Sequence, residues 1–127
     1  MAILLVSFLA SIPLSDLQLE DTWRAVCRVE SGGDPRAVGD GGRAVGIAQI
    51  HRIMVDDCNR IVGEARWTHA DRLSPVKSRE MFRLFCLRYH GRGGPEQWAR
   101  AWNGGPRGPY KACTAGYWGK VRSAMAP

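Results

Sequence analysis

Four clusters of glycine and proline divide this chain of 127 residues into short pieces, and those pieces are all it has to build a core from. SGGDP (31–35), GDGGRAVG (39–46), GRGGPEQ (91–97) and NGGPRGPYK (103–111) interrupt any helix, because glycine is too free and proline lacks the donor a helix needs. Between them, apolar residues recur at helical spacing. A first helix, capped by Asp21-Thr22, is expected to run through Trp23, Val26 and Cys27 to Glu30. A second follows Ile47–Ile50, from about His51 to Ile61, and residues 62–73 read as irregular. Ser74-Pro75 supplies an N-cap and a first-turn proline for a long helix ending near Tyr89, with Val76, Met81, Phe82, Phe85 and Tyr89 as its buried face. Pro95 opens a short helix through Trp98 and Trp102, and Thr114 can cap a terminal one carrying Tyr117, Trp118 and Val121. The expected class is mainly α (α+β), a helical domain over 16–127 with at most a small β-hairpin near residues 38–48. Neither an internal repeat nor a second domain is visible.

Composition supports a single self-sufficient core, since 45% of the residues are hydrophobic. The five tryptophans read first as core filler, because aromatic side chains dominate small cores. Lys+Arg exceeds Asp+Glu by 18 − 12 = 6. Such a surface attracts polyanions in general. The basic residues are scattered, with neither a basic tail nor a recognition-helix or zinc-finger spacing, so no nucleic-acid partner is expected. Residues 1–13, MAILLVSFLASIP, are too few to span a bilayer. They fit the apolar core of a secretory signal, cleaved near residue 15, or else a buried N-terminal helix. No basic residue precedes the apolar run. Cys27, Cys58, Cys86 and Cys113 allow up to two disulfides if the chain is exported, or buried thiols if it is not. No C-x-x-C occurs, and His51, His69 and His90 lack metal-ligand spacing, so no metal and no cofactor are expected.

Glu30 is the residue whose position suggests chemistry. In the last turn of its helix it faces the negative end of the macrodipole, and apolar neighbours would desolvate it. Both effects hold a carboxyl protonated, which a general acid requires. Position alone favours a solvated surface glutamate. Ser31 beside it reads as a helix-end residue, no G-x-S-x-G is present, and the glycine-rich 39–46 segment lacks the Lys-Ser/Thr of a P-loop.

Three motifs give Glu30 its context. VESGGDP (29–35), GRAVGIAQI (42–50) and AWNGGP (101–106) occur in that order. They resemble the signatures of the lysozyme-like superfamily as seen in soluble lytic transglycosylases. CRVESG (27–32), Asp57-Cys58 and NGGPRGPYKACTAGYWGKV (103–121) are similar to pieces of the invertebrate-type lysozymes. The resemblance covers residues 23 to 122. It implies a lysozyme-like fold and a monomeric, secreted or periplasmic glycosidase that cleaves the β-1,4 MurNAc-GlcNAc bond of peptidoglycan. It puts the catalytic acid at Glu30 and makes Gln49 and Asn103 cleft residues. Asp40 matches the family's second carboxylate only across a small deletion, while Asp34 is accounted for by turn chemistry. Trp102, Tyr117 and Trp118 are candidates to stack on sugar rings. The family's dense cysteine framework is missing, so its disulfide pattern does not carry over. Nor can the Ser-His pairing that isopeptide cleavage would need be read from the sequence.

The carboxyl pair decides the chemistry. Retaining glycosidases hold their two carboxyls about 5–5.5 Å apart and inverting ones about 6.5–9.5 Å, lysozyme being the type case of retention. With Asp40 facing Glu30, hydrolysis is expected. With Asp40 turned away, a lytic transglycosylase using the same glutamate and forming an anhydro product is the alternative. A non-catalytic cell-wall-binding protein, antibacterial by binding alone, is the rival from another class.

Overall fold

The computed structural model describes residues 13–125, and its helices run α1 (Leu14–Ser31), α2 (Arg52–Val62), α3 (Pro75–His90), α4 (Pro95–Gly104) and α5 (Ala115–Met125). A two-stranded antiparallel hairpin, β1 (Val38–Gly39) and β2 (Ala44–Val45), pairs Val38 with Val45 and Gly39 with Ala44. This is the mainly helical architecture with a small hairpin that the segment pattern predicts. The N-terminal apolar segment lies outside the described residues, apart from its last positions, which lead into α1.

Helix α1 begins seven residues before the expected cap. Thr22 caps nothing: its hydroxyl donates to Gln18 O at 2.7 Å, one turn back, and is buried within the helix. The stripe that drives α1 into the core is Leu19, Thr22, Trp23, Val26 and Cys27, all buried. This three-and-four spacing places Glu30 next on the same face. The helix stops where Gly32 turns left-handed (φ 66°) and its N–H bonds Arg28 O at 3.0 Å. A glycine there avoids the Cβ penalty of that conformation.

The core is aromatic. Trp98 and Phe82 are fully buried, Trp23 and Trp102 tilt onto Phe82 at 5.3 and 5.1 Å between ring centres, and Trp67 is also buried. Helix α3 starts as expected, with Ser74 Oγ accepting from Lys77 N–H at 3.2 Å. Its buried face is Ser78, Met81, Phe82, Phe85 and Cys86, whereas Val76 is 70% exposed. Five residues before Met81 is about 140° around the helix, so Val76 points away from the core. Thr114 differs too. Its buried hydroxyl accepts from Arg100 Nε and lies 2.7 Å from Gly108 O, fixing the loop between α4 and α5.

The cysteines are unpaired: Cys27, Cys58 and Cys86 are buried, Cys113 exposed. Burial pushes the Cys27 and Cys58 thiols up to about 12, so they behave as small apolar side chains. No helix among the described residues is long and apolar enough to cross a membrane.

Candidate active site

A cleft of about 450 Å³ opens where α1 ends, the hairpin turns and α4 runs out. Glu30, Asp40, Gln49, Trp102 and Asn103 line it together with His51, although 73 residues separate Glu30 from Asn103.

Glu30 is mostly buried, and its Oε2 lies 3.4 Å from the Tyr117 hydroxyl, which donates from α5. Burial raises the carboxyl from 4.5 to about 7, with the Tyr117 hydrogen bond pulling partly the other way. Burial, and then the adjacent carboxyl, push the Tyr117 phenol up. Tyr117 therefore stays a donor over the working pH range. Ser31, next in the chain, ties the helix end to the hairpin base. Its hydroxyl lies 2.7 Å from Ile47 O and accepts from Gly33 and Asp34 N–H. Asp34 is occupied in its own turn, accepting from Arg36 N–H at 2.9 Å.

Asp40 sits at the hairpin tip in the left-handed region (φ 50°), a conformation aspartate tolerates better than most residues. Its Oδ2 lies 3.3 Å from His51 Nε2, and both side chains are about half exposed on the cleft wall. No motif connects these two residues. His51 escaped sequence reasoning, as did Ile53 and Met54 on the same wall.

Gln49 lines the cleft but is committed to holding the hairpin. Also left-handed (φ 52°), it donates through Nε2 to Ala37 O at 3.1 Å and to Gly46 O at 3.0 Å. Its Oε1 fills the space a side chain on residue 39 would need, so any larger residue there would have to displace the Gln49 amide. A second brace comes from Arg72, buried in the stretch read as irregular. It donates to Arg43 O, Ile50 O and His69 O at 3.2, 3.1 and 2.7 Å. Its signal in sequence is that of any surface charge.

The aromatic residues are placed differently from a row of sugar-stacking platforms. Trp102 is 6% exposed, with Nε1 3.4 Å from Ala48 O, so it lines the cleft mainly as part of the core wall. Tyr117 is engaged with Glu30. Trp118 packs against the core from α5 and does not line the cleft. Asn103, at the end of α4, is exposed on the cleft rim. Among the described residues no group of three or more His, Cys, Asp or Glu side chains could hold a metal ion.

No family model matches the chain. It is 35% identical over 106 residues to Lysozyme 1 of Crassostrea virginica, an alignment covering 79% of this chain and 56% of that protein. The chain thus spans little more than half the length of this curated relative. Among solved structures it is similar to a chain of the crystal structure of Aeromonas hydrophila PliI in complex with Meretrix lusoria lysozyme. The TM-score is 0.69 and the identity 27%, with 82% of this chain and 88% of that chain covered. With the helical fold, the hairpin and the cleft between them, these likenesses assign the chain to the lysozyme-like superfamily.

Proposed function

We propose that this protein is a lysozyme: a glycoside hydrolase that cleaves the β-1,4 bond between N-acetylmuramic acid and N-acetylglucosamine in peptidoglycan, outside the cell membrane, with Glu30 as proton donor. The observation that carries the reading is the state of Glu30, a carboxyl raised to about 7 by burial yet open on one side to a groove. At neutral pH about half such groups hold a proton. Glu30 donates it to the glycosidic oxygen as the bond breaks, and the resulting carboxylate then deprotonates the incoming water. Tyr117 keeps the carboxyl in one orientation and helps it bear the charge after transfer. Asp40, on the cleft wall, stands opposite the positive charge developing at the sugar's anomeric carbon, as the second carboxyl of a retaining hydrolase does. Asn103 hydrogen-bonds substrate from the rim, while Gln49 holds the hairpin that carries Asp40.

Two features favour this over the alternatives. Asp40 lines the cleft, which supports hydrolysis over the single-acid transglycosylase route. A desolvated carboxyl costs stability that a pure wall-binding protein has no reason to bear. A turbidity assay on bacterial cell walls, with Glu30→Gln beside wild type, tests the assignment. Loss of lysis by about 10²-fold or more is expected. Lysis by Glu30→Gln within about threefold of wild type would overturn it.

A further inference from the structure

A second pocket, of about 300 Å³, continues from the cleft past a ridge formed by Ile53, Met54 and Gly105, which line both. Its volume is at the lower end of the range for ligand pockets. Phe85, 1% exposed, forms its floor, and Pro106 lines it as well. The polar wall is built from Asp57, Arg60 and Tyr89. Asp57 is anchored on both oxygens: the Tyr89 hydroxyl donates to Oδ2 at 2.9 Å, and Arg60 Nη2 donates to Oδ1. Arg60 pairs with Asp57 through one nitrogen and is 72% exposed, so the rest of its guanidinium is open to solvent. The pocket therefore presents an apolar floor and one solvent-open guanidinium, next to the groove assigned to the glycan. An uncharged sugar ring would leave the guanidinium without a partner.

We infer that this pocket binds the short peptide that peptidoglycan carries on the lactyl group of its muramic acid. The inference rests on the proposed glycosidase reading. That peptide leaves the glycan beside the scissile bond, and it offers methyl and methylene groups for Phe85 and Pro106. Its free carboxylates suit Arg60, since guanidinium is matched to carboxylate in both charge and shape. The pocket thus makes the enzyme selective for peptide-bearing strands over bare ones, with Arg60 as the specificity-determining residue.

The test compares kcat/KM, read as new reducing ends, on uncrosslinked peptidoglycan strands and on the same strands stripped of peptide by an amidase. The amidase leaves a lactyl carboxylate on the sugar, so the difference reads the peptide's reach into the pocket and not the presence of a charge alone. Wild type is expected to favour the peptide-bearing strands by about tenfold, the worth of one charge-assisted hydrogen bond. Arg60→Ala, at an exposed position that leaves the fold intact, is expected to remove most of that preference and leave cleavage of bare strands unchanged. Arg60→Lys is expected to restore part of it. An unchanged preference in Arg60→Ala, or equal cleavage of the two polymers by wild type, overturns the inference. So does an equal loss on both polymers, which would assign the pocket to a further sugar ring or to the lactyl carboxylate it carries. Failure of wild type to cleave either polymer overturns the glycosidase reading itself, and the peptide pocket with it.

Discussion

Replacing Glu30 with glutamine tests the physical basis of the site separately from its catalysis. In the folded protein the carboxyl titrates at about 7, against 4.5 ordinarily. Between those values the folded state binds more protons than the unfolded one, so wild-type stability falls as pH rises from about 4.5 to 7 and levels off above. At about 1.4 kcal/mol per pH unit the gap amounts to about 3 kcal/mol. Glutamine is nearly isosteric, neutral at every pH, and still able to accept from Tyr117. At pH 4 the two proteins should be about equally stable. At pH 8–9 Glu30→Gln should be more stable by about 3 kcal/mol, or about 10 °C in Tm for a chain of this size. Paired thermal or urea melts across pH 4–9 measure it, and subtraction cancels every other titrating group. Difference curves flat with pH would refute the claim that Glu30 is ionised at a cost. Wild-type lysis should decline about tenfold per pH unit above about 7 as the donor loses its proton, whereas the variant should remain inactive throughout.

Three further substitutions probe the surroundings. Tyr117→Phe removes the hydrogen bond that pulls Glu30 down, so the alkaline limb of the lysis profile should move to higher pH; an unmoved limb would count against that contact. Gly39→Ala drives a Cβ into Gln49 Oε1 and should destabilise the protein by about 1–3 kcal/mol, seen as a lowered Tm. Asp40→Asn should suppress turnover strongly at little cost in stability, with wild-type digestion leaving ordinary reducing ends by mass spectrometry. Anhydromuropeptides from wild type together with an active Asp40→Asn variant would replace hydrolysis by transglycosylation.

Local chemistry made most of the helices legible in advance. Ser74-Pro75 and Pro95 start helices by rules that involve only their neighbours, and Gly32 ends one the same way. Asp21-Thr22 misleads because a threonine hydroxyl serves a cap or the carbonyl four residues back equally well, and Leu19, buried upstream, settles the choice by packing. The long-range partners were not legible. Tyr117 and Glu30 are 87 residues apart, and nothing in an aromatic residue distinguishes a buried carboxyl's partner from a sugar platform. The motif marks Gln49 as a cleft residue, but its two bonds to Ala37 O and Gly46 O depend on a left-handed backbone that sequence does not display. Arg72 was missed for a related reason: three carbonyls from three segments converge on it only once the chain has folded.

What singles out Glu30 is that the buried stripe of α1 ends on it. Leu19, Trp23 and Val26 lead the face inward, and one more turn at the same spacing would ordinarily be occupied by another apolar residue. A glutamate there loses its water because the helix must pack, so no separate device is needed to raise its pKa. Gly32 then turns the chain out of the helix, and Ser31 fastens that turn to the hairpin base. The space the next helical turn would have filled stays open as the cleft. An apolar residue at position 30 would extend the core at no cost in ionisation. With total stabilities of about 5–15 kcal/mol typical of folded domains, the roughly 3 kcal/mol that ionised Glu30 forfeits at alkaline pH is a substantial fraction. Packing gives no reason to retain such a carboxyl, whereas proton transfer to a bound glycan does.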